Sequence, residues 1–177
     1  MNPKIISKKI SYKASFFNVV STKLKFPNSL VKTEDFIDVK SNSAMIVAVD
    51  NKNNIYLSKE WRPAWRRRIV TIPGGNIKGK DIVKNARREL REEIGFDAKK
   101  IERLTTVLLG SKFKRKINIY LATELFESPK KPDADELIDI VKMPIKKACK
   151  MFLSGKEMTT AYTILGIILA MNKLRVK

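Results

Sequence analysis

Short apolar runs separated by polar punctuation fill residues 4 to 60. They predict strands at Ile5 to Tyr12, Phe16 to Phe26, Phe36 to Val39, Met45 to Asp50 and Ile55 to Ser58. The separators Pro27-Asn28-Ser29 and Asp50-Asn51-Lys52-Asn53-Asn54 suit hairpin turns, because Asn and Asp tolerate left-handed backbone and hydrogen-bond their own chain. A further strand, Arg68 to Ile72, runs into Pro73-Gly74-Gly75, which is expected to stop it. The period then changes. From Asp81 to Ile94 the apolar residues Ile82, Val83, Ala86, Leu90 and Ile94 recur at mostly three- and four-residue spacings, an amphipathic helix closed by Gly95. Strands follow at Ile101 to Leu109 and Ile117 to Leu125, then a polar loop from Ser128 to Asp135 and a strand from Leu137 to Met143. Pro144 is expected to open a helix at its first position, and Thr159 to Leu174 forms the last helix. With no repeat and no low-complexity linker, the chain is expected to be a single domain, residues 1–177, with an N-terminal β region over 1–40 and a core over 41–177.

Composition narrows the chemistry. Of 177 residues 44% are apolar and 31% charged, a balance that excludes disorder throughout. The longest nearly apolar stretch, Tyr162 to Met171, has ten residues, about half of the roughly 20 that a helix needs to cross a bilayer, so no membrane partner is expected. The first residues carry no apolar leader and the lone Cys149 cannot form an internal disulfide, so a cytoplasmic location is expected. The absence of histidine excludes Ser-His-Asp and Cys-His catalysis and leaves acid–base and metal chemistry to carboxylates. Lys and Arg number 37 against 18 Asp and Glu, a net charge of +19 that attracts polyanions. The lysines are scattered, however, and a solvated basic surface explains them; a nucleic-acid partner rests on net charge alone.

The chemistry concentrates in Arg88-Glu89-Leu90-Arg91-Glu92-Glu93-Ile94-Gly95-Phe96. On a helix Glu89, Glu92 and Glu93 project from one side, with Leu90 and Ile94 on the opposite stripe. Like charges so spaced repel by about 0.2–0.5 kcal/mol per pair, unless a hard divalent cation such as Mg²⁺ or Mn²⁺ converts the repulsion into a site. A solvated face of mixed Arg–Glu pairs is the alternative. The adjoining Pro73-Gly74-Gly75 bend favours the site, since glycine lets backbone approach a ligand closely.

Counted from Gly74, five residues lead to Lys80, seven more to Arg88, and then comes Arg-Glu-Leu-x-Glu-Glu-x-Gly-Phe. This resembles the Nudix box and departs from it at one position, where Lys80 replaces an early Glu. The resemblance implies an α+β Nudix fold, an α/β/α sandwich with a mixed central sheet, preceded by the antiparallel N-terminal region. Beyond the box, Glu60-Trp61-Arg62-Pro63, the acidic loop Asp133-Ala134-Asp135-Glu136 and the C-terminal helix are similar to ADP-ribose pyrophosphatases. The basic Lys112 to Lys116 segment departs from those relatives, which are acidic there.

The implied reaction is metal-dependent hydrolysis of a nucleoside diphosphate derivative, a nucleotide sugar such as ADP-ribose giving AMP and ribose 5-phosphate. Mg²⁺ or Mn²⁺ would be held by Glu89, Glu93, Glu92 and the Gly74 carbonyl. Glu136, ahead of Asp135 and Asp133, would act as general base, with Glu92 and Arg88 in the catalytic set. Arg62, Trp61 and Gly75 would bind substrate, Arg62 through its fork of donors and Trp61, or Trp65, by stacking on adenine. The early Glu of these relatives braces the loop against the box Arg, so Lys80 is expected to weaken scaffolding more than chemistry. The resemblance also implies a homodimer sharing N-terminal strands. Two rival readings remain: a hydrolase of RNA or nucleotide 5′-diphosphates, and a binding module of this fold without turnover.

Overall fold

The structure is a computed structural model that describes residues 1–131 and 137–176. The chain divides into two compact units, Met1–Asn42 with Val107–Lys116, and Ser43–Thr106 with Ile117–Lys177.

In the first unit, β1 (Lys4–Lys13), β2 (Phe17–Lys25) and β3 (Val31–Val39) form an antiparallel meander. The turn after β2 uses Ser29 at φ 67, the left-handed conformation that the Pro-Asn-Ser sequence foreshadows. β3 starts five residues earlier than its apolar run, because Val31 to Asp35 pair in register with Lys25 to Ser21 of β2. Partner strands there override the poor β-propensity of Glu34 and Asp35. Every residue of β1 is exposed.

The second unit carries β4 (Ser43–Val49), β5 (Asn54–Arg62), a 3-10 turn at Pro63–Trp65, β6 (Arg67–Thr71), β7 (Gly74–Asn76), α1 (Ile82–Glu93), β10 (Ile138–Pro144), α2 (Ile145–Leu153) and α3 (Ala161–Lys173). Two long strands, β8 (Phe96–Gly110) and β9 (Phe113–Glu127), contribute residues to both units. The sheet is mixed: β4 runs parallel to β9 and antiparallel to β5 and β7, while β5 is also antiparallel to β6 and β10. β4 is buried at every residue, and its alternating side chains reach opposite layers. Ala44, Ile46 and Ala48 join Ala86, Leu90 and Ile94 of α1 in one cluster. Val47 faces the other way, where a β-carbon added to Gly166 of α3 would meet its Cγ2 at 3.0 Å. Helices thus cover both faces, an α+β sandwich of the expected class. No helix among the described residues is long and apolar enough to cross a membrane.

One local expectation holds with an addition and one needs correction. The strand before Pro73 does end, at Thr71, and beyond it Gly74, Gly75 and Asn76 form the unforeseen β7 against Met45, Ala44 and Ser43. Pro144 sits at the cap of α2 with extended ψ 132, one residue before the helix.

Candidate active site

α1 begins where Asp81 caps it, Oδ1 accepting from the Lys84 amide at 2.9 Å, and ends before Gly95 at φ +76. Packing its apolar stripe on the sheet carries two of the three glutamates inward. Glu89 and Glu93 are 5% and 6% exposed, so they are core-depth carboxylates rather than a solvated face.

Glu93 Oε1 accepts a hydrogen bond from the Gly74 amide at 2.9 Å. Its other oxygen, Oε2, is buried with no hydrogen bond, as is the neighbouring Ser58 Oγ, which lies close enough to favour the carboxylate without reaching bonding geometry. Burial pushes the Glu93 carboxyl well above the usual range; the charge of Glu60 and then of Glu89 add to this, against the Gly74 amide and the Ser58 hydroxyl. Glu60 enters the site through strand periodicity. Ser58, Glu60 and Arg62 alternate along β5 and so share one face, with Glu60 Oε2 paired to Arg62 Nη2 at 3.0 Å. The i, i+2 spacing was the available signal for Glu60, which the box pattern does not contain.

Arg88 organises the remaining carboxylates. Its Nη1 meets Glu92 Oε2 at 2.5 Å, Nη2 binds Glu89 Oε1, and Nη2 also reaches the Asn76 carbonyl at 3.4 Å. Lys130 holds the other oxygen of Glu92. Burial alone would raise the Glu92 carboxyl, but Lys130 and Arg88 outweigh it and hold it below the usual value. Glu92 therefore ties α1 to the segment after β9, with both oxygens engaged.

A cleft of about 210 Å³ is lined by Glu60, Arg62, Gly74, Gly75, Arg88, Glu89 and Glu93 among others. It gathers most of the expected residues. Trp61 and Trp65 lie outside its lining, 54% and 65% exposed, and Arg68 is committed to Asp139 at 2.7 Å and to the carbonyls of Lys59 and Leu137. Glu136, Asp135 and Asp133 lie outside the described residues.

The loop into α1 has a brace the sequence did not advertise. Lys80 is exposed, and Asn85, 5% exposed, clamps the loop instead. Its Oδ1 accepts from the Lys78 amide at 2.8 Å, while Nδ2 donates to the Lys78 carbonyl at 2.9 Å and the Asp81 carbonyl at 2.6 Å.

The donor set suits a hard cation. Glu93 Oε2 is a buried oxygen in need of a positive partner, Glu60 and Glu89 stand near it, and at Gly75 a β-carbon would collide with the Glu89 carboxylate. Among the described residues, no three acidic side chains converge closely enough to enclose an ion unaided. Backbone, water or phosphate oxygens would complete the shell, as Mg²⁺ ordinarily requires.

The family model for the NUDIX domain matches residues 39–161. An ADP-ribose pyrophosphatase of Bacillus subtilis (strain 168) is 27% identical over 170 residues, covering 93% of this chain and 91% of that protein. A methanol dehydrogenase activator of Bacillus methanolicus is 25% identical over 148 residues, covering 81% and 79%. A crystal structure of an ADP compounds hydrolase superposes with a TM-score of 0.89 at 23% identity, covering 99% of this chain and 95% of that one, a likeness of fold.

Proposed function

The chain belongs to the NUDIX domain family and is a Nudix hydrolase resembling ADP-ribose pyrophosphatases, and from that premise we propose that it cleaves ADP-ribose to AMP and ribose 5-phosphate with Mg²⁺ or Mn²⁺. The observation that carries the reading is the buried, unbonded Oε2 of Glu93 beside Glu60 and Glu89. Such an arrangement is costly in an empty protein and is relieved by a cation.

Glu93, Glu89 and the Gly74 carbonyl would hold the ion, with Glu60 beside them. When bound, the ion neutralises diphosphate oxygens and lowers the pKa of water. The chain's own part is orientation and proton handling. The Gly74 amide and Arg88 fix the Glu93 and Glu89 carboxylates before substrate arrives, so little reorganisation remains at the moment of reaction. Arg62, on the cleft wall, presents guanidinium donors to a phosphate or ribose oxygen. Glu92 serves catalysis by bracing Arg88, and Glu136 takes the proton of the attacking water. Trp61 supplies an exposed ring on which adenine can stack.

We further read residues 1–177 as one NUDIX domain with its N-terminal β region, working as a homodimer in the cytoplasm. The support is β1, whose Ile5, Ile6, Ile10 and Tyr12 are all more than half exposed, and a lone thiol suited to a reducing compartment. The cationic partners on Glu89 and Glu92 favour a second reading, a module that binds nucleotides without turnover.

One assay separates the two. With ADP-ribose and Mg²⁺, the hydrolase releases AMP and ribose 5-phosphate, and chelation stops it. ADP-ribose that binds but stays intact with either metal establishes the binding module.

A further inference from the structure

Beside the cleft lies a larger hollow of about 600 Å³ on the outer side of α1. Among the described residues seven cations line it, Lys78, Lys80, Lys84, Arg87, Arg88, Arg91 and Lys130, against Asp81 and Asp97. Four of the seven are committed within the protein. Arg87 binds Asp97 at 2.5 Å and the Ala98 carbonyl at 2.6 Å, Arg91 Nε donates to the Ser128 carbonyl at 3.0 Å, and Arg88 and Lys130 hold Glu92. Asp81 already receives the Lys84 amide. Among the described residues, nothing bonds the ammonium groups of Lys78, Lys80 and Lys84.

Three cations without a partner among the described residues repel each other around one hollow unless an anion enters, and the hollow lies within the size range of small-ligand sites. It is also placed to share a ligand with the cleft, since Lys78 and Arg88 line both. The loop that carries Lys78 and Lys80 is held by the buried amide of Asn85, which lowers the ordering cost of binding there. At Lys80 the box pattern has an acid, so this chain has inverted the charge at the rim.

We propose that this hollow is a second anion subsite, which receives a phosphate ester borne by the nucleoside of the substrate. The preferred substrate is then a nucleoside diphosphate derivative with an additional phosphate on its ribose. The inference rests on the proposed function for the identity of the group held in the cleft. A nucleic-acid strand fits less well, because among the described residues no aromatic side chain lines the hollow to stack a base.

The test is calorimetry on the full chain with ADP-ribose and with its 2′-phosphate and 3′-phosphate on the adenosine ribose. It is repeated with the double variant Lys80→Glu, Lys84→Glu, whose folding is checked by circular dichroism. The wild type should bind one phosphorylated ligand about tenfold more tightly than ADP-ribose, or better, from charge-assisted hydrogen bonds. In the double variant that preference should fall to within about twofold, as expected when those bonds are lost. Equal affinities in the wild type overturn the proposal, and so does a preference that survives in the double variant. If the variant instead loses affinity for a short single-stranded RNA while the added phosphate makes no difference, the hollow is a backbone-docking surface and the proposal fails. The measurement needs no turnover, so a preference without hydrolysis would sink the catalytic reading and leave the subsite standing.

Discussion

Gly75 stands against Glu89 with no room for a side chain: a β-carbon on Gly75 would lie 2.6 Å from Glu89 Oε1 and 2.9 Å from Cδ. Glu89 cannot swing clear cheaply, because Arg88 holds the same oxygen and the residue is 5% exposed. Gly75→Ala should therefore displace the carboxylate. We expect kcat to fall roughly tenfold to a hundredfold, as for an ångström-scale misplacement of a catalytic group. Stability should drop by only about 1–2 kcal/mol, typical of local overpacking. Steady-state kinetics and urea unfolding on the same preparation check both.

Glu93 sets a pH signature. Its folded pKa lies above the ordinary 4.5, so above that value the native state keeps a proton that the unfolded chain releases. Without divalent cation, stability should decline as pH rises from about 4.5 through the raised native value. Glu93→Gln lacks this slope, and it should be at least as stable as wild type at pH 8 in EDTA while losing about a hundredfold or more in rate. Thermal melts at several pH values, with and without Mg²⁺, check the sign; a wild type that gains stability over that range in EDTA contradicts it.

Asn85 should matter more than its distance from the carboxylates suggests. Asn85→Ala leaves the amide and carbonyl of Lys78 without their side-chain partner, and we expect a loss of about 1–3 kcal/mol. Asn85→Asp keeps the acceptor for the Lys78 amide but sets a buried carboxylate oxygen against the Lys78 and Asp81 carbonyls, so it should be no more stable than alanine. Denaturation of the three proteins orders them.

Asp50 provides an acid-side counterpart. Burial would raise its carboxyl, but bonds from the Asn54 amide, Lys142, the Asn54 side chain and the Lys52 amide outweigh it and hold the pKa down to about 2. A native value below the unfolded one stabilises above the ordinary 3.8, and the contribution disappears as pH falls toward 2. Asp50→Asn should cost about 2 kcal/mol at pH 7 and progressively less below pH 4, a convergence readable in unfolding curves.

The site was legible wherever it depends on local geometry. Gly95 as terminator follows from its residue type and the one-turn spacing of Glu89 and Glu93 from helix period, and the spacing from Gly74 to Arg88 named the family that the NUDIX match later showed. What stayed hidden depends on contacts remote in the chain. The surroundings of Glu93 include Ser58 and Glu60 from β5, and Glu92 meets Lys130 across 38 positions. The strand at Gly74–Asn76 was missed because its pairing comes from β4 and its own residues have little β-propensity. Lys80 reads as a damaged brace in one dimension, whereas the fold had moved the brace to Asn85.

The outermost strand poses a last problem of self-restraint. β1 bonds β2 along one side, and a ten-residue rim with solvent on both faces is the kind of template on which copies stack into fibrils. Its pairing with β2 slips between Ile5 and Ser7 and again between Ile10 and Tyr12, which twists the rim, and Lys4, Lys8, Lys9 and Lys13 set like charges along it. Both devices discourage endless polymer growth, and neutralising those four lysines would leave the two slips as the remaining guard.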